Sequence, residues 1–123
     1  MIRILFILGC IVCAAGGNLL LKSGMGQMGS VTETSLPLAQ YALQTLCKPQ
    51  ILVGVVLYIL SFVMWLSLLS MMDISVVYPI FVSAAFLIVM AGSVIWFGEH
   101  VNLLRVLGTL VVAAGIFLVS VSK

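Results

Sequence analysis

The stretch that decides the fold is YPIFVSAAFLIVMAGSVIWFGEHVNLLRVLGTLVVAAGIFLVSVSK, which runs from Tyr78 to Lys123. It contains two long apolar runs, with a short polar segment, GEHVN, between them. A helix of about 20 apolar residues crosses the roughly 30 Å of hydrocarbon in a bilayer. Each run has about that length, so the stretch predicts two transmembrane helices joined by a tight connection.

The preceding part of the chain repeats this pattern. Two further apolar runs give four predicted spans in all, over about residues 2–22, 51–71, 75–97 and 103–121. The runs are continuous and do not alternate, which argues against a β-barrel. Only 7% of the 123 residues are charged, whereas a soluble domain carries about a quarter. We therefore expect an all-α integral membrane protein, with residues 1–123 forming a single four-helix transmembrane domain.

The first apolar run has one feature of a signal peptide, since Arg3 precedes its apolar core. It is too long for a signal peptide, however, and it ends in Asn18 and Lys22 without a small-residue cleavage site. We interpret it as a retained first span.

Residues 23–50 form the longest connection. Three glycines are expected to end the first helix: Gly24, Gly26 and Gly29. The segment 36–47 then has helical periodicity, with Ser35 as a candidate cap and Pro37 suited to the first helical position. About a dozen residues are too few to span a bilayer, so we expect a short helix at the membrane interface. An irregular loop is the alternative.

The two short connections carry residues that suit helix starts. Asp73 and Ser75 offer oxygen acceptors to the free amides of the third span. Asn102 is placed to cap the fourth span, Glu99 lies near that helix's positive end, and Arg105 follows in its first turn. A purely structural role at the headgroups is one interpretation of Glu99 and Arg105. Binding of a substrate headgroup is the other.

Positive charge is almost balanced between the two sides of the membrane. Four spans place Arg3 and Lys123 on one side, and Lys22, Lys48 and Arg105 on the other. Charge asymmetry between loops sets membrane topology, and two cations against three is almost no asymmetry. The chain is therefore expected either to insert in both orientations, giving an antiparallel pair, or to depend on a partner.

Several functional classes are disfavoured by the residues available. The carboxylates Glu33, Asp73 and Glu99 lie in loops or at helix ends, whereas proton relays usually carry acids inside spans. The single histidine and three cysteines lack zinc-ligand spacing, and the C-x-x-C of the first span is interpreted as packing. The sequence contains no run of basic residues of the kind that binds nucleic acid. We expect no enzyme activity, no metal, no cofactor and no nucleic-acid partner.

The polar and aromatic residues of the spans are the candidate substrate-binding residues. They are Asn18, Lys22, Tyr58, Trp65, Tyr78, Glu99 and Arg105. Tyr58, Ser61 and Trp65 share one face of the second span because they are spaced i, i+3, i+7. Each candidate also has a structural interpretation: Asn18 bonding a neighbouring helix, Lys22 snorkelling, Tyr78 anchoring at the interface, Trp65 packing.

Small residues mark the fourth span as a helix-packing surface. Gly108 and Gly115 are seven residues apart and share a face, and Thr109 and Ala113 form a small-x-x-x-small pair. Such faces allow helices to approach closely in lipid, where apolar attraction alone does not hold helices together. We predict a dimer interface at these four residues.

The order of the motifs resembles the drug/metabolite transporter superfamily. The similarity rests on LLLKSGMG closing the first span, YP opening the third, WFGE closing it, and LLRVLGTLVVAAGIFLV as the fourth. The last two spans are most similar to the EamA-type half-unit. Within the superfamily, length and Lys22 resemble the small multidrug resistance family, whose site is a glutamate in the middle of the first span. Aligning on Lys22 places Ala14 at that position, a departure that removes the proton-coupling group.

The small subunits that flip aminoarabinose-phosphoundecaprenol are also similar, since they lack that glutamate and carry a polar residue and a lysine where Asn18 and Lys22 stand. This resemblance implies a transporter or flippase subunit for an anionic, polyprenyl-phosphate-linked or other lipid. It also implies a multi-pass protein of the bacterial inner membrane, acting as a homodimer or as a heterodimer with a similar subunit. Two alternatives stay open: an exporter of cationic or other small organic compounds, and a non-transporting subunit of a larger complex.

Overall fold

The computed structural model describes residues 1–30, 32–33 and 35–122, and over these residues it contains helices, turns and no strand. The helices are α1 (Ile2–Gly26), α2 (Leu38–Leu46), α3 (Pro49–Met71), α4 (Ile74–Phe97) and α5 (Leu103–Val121). The predicted all-α fold class is confirmed. Lys123, counted above among the cations of one side, lies outside the described residues.

Four of the helices are long and apolar enough to cross a membrane. α1, α3, α4 and α5 have 25, 23, 24 and 19 residues, and their mean hydropathy is 2.2 to 2.5 in the most apolar window of each. These helices correspond to the four predicted spans, with bounds that differ by up to four residues. The chain is a multi-pass membrane protein.

Of the three glycines predicted to end the first span, Gly24 does not do so. It lies inside α1, whereas Gly26 is the last residue of the helix and Gly29, with φ of +77°, lies beyond it. A Cβ added at Gly24 would come within 2.5 Å of the Ile51 side chain. Gly24 is therefore a site of close helix packing, where the absent side chain matters more than low helix propensity.

The short helix α2 confirms the predicted helix in the long connection, but it begins later than expected. Pro37 occupies the N-cap position, not the first helical position, and Ser35 does not cap the helix. Tyr41 is buried and donates a hydrogen bond to the Gly29 carbonyl at 3.0 Å, which ties α2 to the turn after α1. The location of α2 at the membrane interface stays a prediction.

Helix starts at the short connections are made by the backbone. Asp73 and Asn102 are the N-cap residues of α4 and α5, as predicted, but neither side chain makes a capping hydrogen bond. The Asp73 and Asn102 carbonyls accept the first hydrogen bonds of the two helices, from the Val77 amide at 3.1 Å and from the Val106 amide at 3.2 Å. Side-chain capping by Asp73 and Ser75 was therefore a wrong prediction.

The core is formed mainly by α1 packed on α3. A Cβ at Gly17 would lie 3.0 Å from the Gly54 carbonyl oxygen, so the two backbones approach more closely than larger residues would permit. Cys10 and Ser61 join the helices through three hydrogen bonds, one of them between the two side chains at 3.4 Å. The Cys10 thiol donates to the Ser61 carbonyl at 3.3 Å, and the Ser61 hydroxyl donates to the Cys10 carbonyl at 3.0 Å. Cys10 is a packing residue, as its position in the first span predicted.

The other two membrane helices are attached more loosely. α4 contacts α1 where Leu19 lies against Gly92, and α5 packs mainly on α4. The helix order places the C-terminal ends of α1 and α4 beside the N-terminal ends of α3 and α5. We call this the loop end of the molecule, and among the described residues it includes 18–30, 32–33, 35–50 and 97–105. The candidate site forms here.

Candidate functional site

Four of the seven predicted substrate-binding residues converge at the loop end. Asn18 and Lys22 of α1, Glu99 of the α4–α5 turn and Arg105 of α5 line one cavity of about 160 Å³. The remainder of its wall comes from Leu19, Phe86, Val89, Met90 and Ser93. We call the four polar residues the loop-end cluster. They come from three separate parts of the chain, so the fold and not the sequence spacing assembles them.

The turn that delivers Glu99 depends on a left-handed glycine. Gly98 ends α4 with φ of +61° and ψ of 30°, a conformation that side-chain-bearing residues rarely adopt. Its amide donates to the Val94 carbonyl at 3.1 Å, and the Glu99 amide points back to the Ser93 carbonyl. This reversal brings the Glu99 carboxylate to the end of α1 and not away into the headgroups.

The charged groups of the cluster are unequally paired. Lys22 Nζ forms an ion pair with Glu99 Oε1, whereas an Arg105 guanidinium nitrogen lies 3.9 Å from Glu99 Oε2. Lys22 Nζ also lies 5.0 Å from the centre of the Phe97 ring, within the range of a cation–π contact. Two cations face one carboxylate, so the cluster keeps one net positive charge. A partly exposed guanidinium with free donors is suited to binding a carboxylate or phosphate through two oxygens.

The other three predicted residues form a second, aromatic cavity deeper along α1. Tyr58 and Trp65 of α3 and Tyr78 of α4 line a space of about 190 Å³. Its other lining residues are Ala14, Ser61, Phe62 and Phe81. We call this the aromatic cavity. The spacing of Tyr58, Ser61 and Trp65 on one face of α3 predicted their convergence.

Trp65 organises the aromatic cavity. Its ring centre lies 5.9 Å from that of Tyr78 in an edge-on arrangement and 4.9 Å from that of Phe81. Phe81 was missed in the sequence, although its spacing three residues after Tyr78 places both on one face of α4. The lining contains no carboxylate, and Ala14 supplies the α1 wall. The cavity therefore offers ring faces and hydroxyls but no acid.

The two cavities are consecutive along α1. Ala14 lines the aromatic cavity and Asn18 lines the cavity of the loop-end cluster. Residues four apart lie on one helix face, separated by about 6 Å along the axis. A polar entrance and an aromatic interior thus lie next to each other on the same helix.

Comparison with known proteins decides the family. Residues 30–112, which include α2, α3, α4 and the first half of α5, match the family described as Small Multidrug Resistance protein. The chain belongs to the small multidrug resistance family. It is also 32% identical over 111 residues to "Uncharacterized protein y4nH" of Sinorhizobium fredii (strain NBRC 101917 / NGR234), covering 86% of this chain and 88% of that protein. No solved structure matches the chain.

Membership of the small multidrug resistance family makes the protein a small membrane transporter and confirms the predicted transport class. The family match does not support the narrower resemblance to aminoarabinose-phosphoundecaprenol flippase subunits. It begins at residue 30, so α1 lies outside it. Ala14, Asn18 and Lys22 are all on α1, and the α1 walls of both cavities are thus outside the matched region.

The four residues predicted as a dimer interface lie on two different faces of α5. A Cβ added at Gly108 or Gly115 would have no atom within 4 Å, so both glycines face away from the rest of the chain. Thr109 is buried against α4, where its hydroxyl contacts Met90 Sδ at 3.1 Å. Ala113, one turn further, is half-buried. Thr109 therefore packs within this small multidrug resistance protein, whereas both glycines are exposed. The dimer interface stays a prediction.

Proposed function

We propose that the protein moves an anionic amphiphile across the membrane, with a polyprenyl-phosphate-linked or other phosphate-bearing lipid as the substrate class. The observation that supports this is the loop-end cluster, where Lys22 and Arg105 face a single carboxylate beside a cavity. The aromatic cavity next to it contains no acid. The excess cation of the loop-end cluster favours negative charge over positive charge.

The transport path requires only a few polar groups. A lipid keeps its hydrocarbon tails in the bilayer, so only its headgroup needs a polar route. In this proposal Arg105 binds the phosphate, Lys22 contributes the second charge, and Asn18 offers an amide to the headgroup. Tyr58, Trp65 and Tyr78 line the deeper part of the route, where hydroxyls and ring faces replace water.

We propose further that two chains form the working unit, as a homodimer, in antiparallel or parallel arrangement, or as a heterodimer with a similar subunit, in the inner membrane of a bacterium. α5 supports this because it is the most exposed of the four membrane helices. Only 6% of the residues in its most apolar 18-residue segment are buried. Its outward face combines Gly108 and Gly115 with exposed valines at 111, 112 and 119. Two such faces can approach closely, since glycines admit a neighbouring backbone.

Replacing both Gly108 and Gly115 with leucine is expected to weaken association of the chains without unfolding them. Leucine at either position enters open space in the single chain, so only contact with a second chain is obstructed. The measurement is the yield of cross-linked dimer in membranes. Leucine at Ala114, which is also exposed, is the matched control. Equal dimer yield from parent and double variant would contradict this interface.

Export of organic cations is the second candidate function. It is favoured by the aromatic cavity, because the faces of Trp, Tyr and Phe rings attract cations at about 0.5–2 kcal/mol per contact. In that case Glu99 is the acid nearest the cavities, although Lys22 already neutralises it. The two functions predict opposite charge selectivity.

The proposed function is tested by reconstituting the purified chain in liposomes that contain a fluorescent polyprenyl phosphate. We expect the chain to increase the rate at which the label becomes accessible to a membrane-impermeant quencher, compared with protein-free liposomes. A fluorescent lipophilic cation is assayed in parallel. Transport of the cation alone would replace the proposal with the second candidate, and transport of neither would indicate a non-transporting subunit.

A further inference from the structure

A cavity at the other end of the molecule from the loop-end cluster is lined by one cation and one carboxylate. It has a volume of about 390 Å³ and lies where α1 begins, α3 ends and α4 begins. Its walls are Arg3, Asp73, Val76 and residues 69–72 at the end of α3. We call it the Arg3–Asp73 cavity. Cavities of about 300–1,000 Å³ are typical of sites for small ligands and cofactors.

Neither charged side chain of this cavity has a partner in the described part of the chain. The ion pairs there are Lys22–Glu99 and Arg105–Glu99, so Arg3 and Asp73 pair neither with each other nor with another described residue. The Asp73 side chain also makes no capping hydrogen bond to α4. Two opposite charges that share a cavity without pairing fit a ligand that carries both charges itself.

The helix ends around the cavity add to this separation of charge. Arg3 lies in the first turn of α1, at the positive end of that helix, and the turn contains no acidic residue. The last turn of α3 contains no basic residue, and no described amide donates to the carbonyls of Leu69, Ser70 and Met71. Free carbonyls give the end of a helix a partial negative charge. The cavity therefore has a positive side at α1 and a negative side at the end of α3, where Asp73 follows.

The apolar residues around the cavity favour a lipid as the ligand. Met71 and Val76 line the cavity and are exposed, as are Ile2 and Ile74, the neighbours of Arg3 and Asp73 in the chain. All four lie in the first or last turn of helices long enough to span a membrane, where acyl chains meet headgroups. A small water-soluble zwitterion would use the two charges but not this apolar surface.

We propose that the Arg3–Asp73 cavity binds the headgroup of a zwitterionic phospholipid with a primary ammonium group, with phosphatidylethanolamine as the representative. The phosphate binds the Arg3 guanidinium, which offers two parallel N–H donors. The ammonium donates to the Asp73 carboxylate, on the negative side of the cavity, and the acyl chains lie along Met71 and Val76. This site is separate from the cavity to which transport is assigned, and it does not depend on the proposed function.

The experiment compares two zwitterionic lipids that differ only in the N–H donors of the headgroup. Purified protein is equilibrated with equal amounts of phosphatidylethanolamine and phosphatidylcholine of identical acyl chains, and the retained lipids are counted by native mass spectrometry. The parent is expected to prefer phosphatidylethanolamine about two- to fivefold, the effect of one exposed charged contact. Asp73→Asn is expected to reduce this ratio to about one. Glu33→Gln, which removes an exposed carboxylate outside the cavity, is expected to keep it.

A second variant tests the phosphate side of the cavity. Arg3→Gln is expected to reduce retention of both lipids about two- to fivefold, because both carry the phosphate, while the helix content is unchanged. Lys48→Gln removes a cation that does not line the cavity and is expected to retain both lipids like the parent. Soluble phosphoethanolamine, at the same concentration as the lipid, is expected not to displace phosphatidylethanolamine, because it lacks acyl chains.

Three results would overturn the proposed headgroup site. They are a parent ratio of one, an Asp73→Asn ratio equal to that of the parent, and undiminished retention of both lipids by Arg3→Gln. Displacement by soluble phosphoethanolamine would overturn the assignment to a lipid, since the cavity would then bind a small zwitterion without help from the apolar surface.

Discussion

Arg105→Gln and Lys22→Gln are each expected to lower the affinity for a polyprenyl-phosphate lipid about ten- to hundredfold. A hydrogen bond to a charged group contributes roughly 1.5–3 kcal/mol, which corresponds to that range in affinity. Loss of Lys22 has a further effect, because Glu99 then lies beside the phosphate without its partner. A lysine that merely snorkels would tolerate glutamine, since its stem still packs and an exposed ion pair is worth at most about 1 kcal/mol.

Binding of the labelled lipid to each variant in nanodiscs measures this effect, with helix content and dimer yield determined separately. Arg3→Gln is the matched control, because Arg3 is a cation at the other end of the molecule and does not line the cavity of the loop-end cluster. Glu99→Gln distinguishes the two candidate functions. It frees both cations for a phosphate and is expected to preserve lipid binding, whereas export of cations through Glu99 would be abolished. If both cation variants bind the lipid like the parent, neither residue is the headgroup site.

The parent protein is expected to give no proton-coupled current with lipophilic cations, whereas Ala14→Glu is expected to create one. Ala14 forms the α1 wall of the aromatic cavity, which has no carboxylate among its lining residues. A glutamate there would add the one acid that both a proton and an organic cation can occupy in turn. The change is thus from no coupling to measurable coupling.

Solid-supported-membrane recordings across a pH gradient test this expectation. Ala14→Gln, similar in size to glutamate but without an ionisable group, controls for the larger side chain in the cavity. A robust proton-coupled current in the parent that disappears only when a residue of α1 is replaced would show that coupling runs through another group of this helix.

The helices were largely predictable from the sequence because lipid imposes a minimum apolar length on each span. The aromatic cavity was predictable in part, since Tyr58, Ser61 and Trp65 follow helical spacing within a single span. The end of α1 was not predictable from the sequence. Glycine has low helix propensity, but Gly24 lies inside α1 because it packs against Ile51. Local sequence cannot distinguish these roles without the neighbouring helix.

The residues of the loop-end cluster could be identified from the sequence, but their proximity to one another could not. Lys22 and Glu99 are in different spans, and no pattern in either span specifies that the end of α1 lies against the α4–α5 turn. That contact depends on Leu19 fitting against Gly92 and on the left-handed conformation of Gly98. The division of the small residues of α5 between an inner and an outer face was equally hidden, because Gly108 and Thr109 are adjacent in the sequence.

The pairing of α1 with α3 has a consequence for how the protein is made. The hydrogen bonds between Cys10 and Ser61 join residues 51 positions apart, so the ribosome needs about 3–10 s to supply the second partner after the first. During that interval α1 is already available for insertion, but the surface formed by its glycines has nothing to pack against. Biogenesis therefore includes a waiting stage with one unpaired span, during which the membrane insertion machinery or a chaperone has access to that surface. α5 is synthesised last, and it packs mainly on α4.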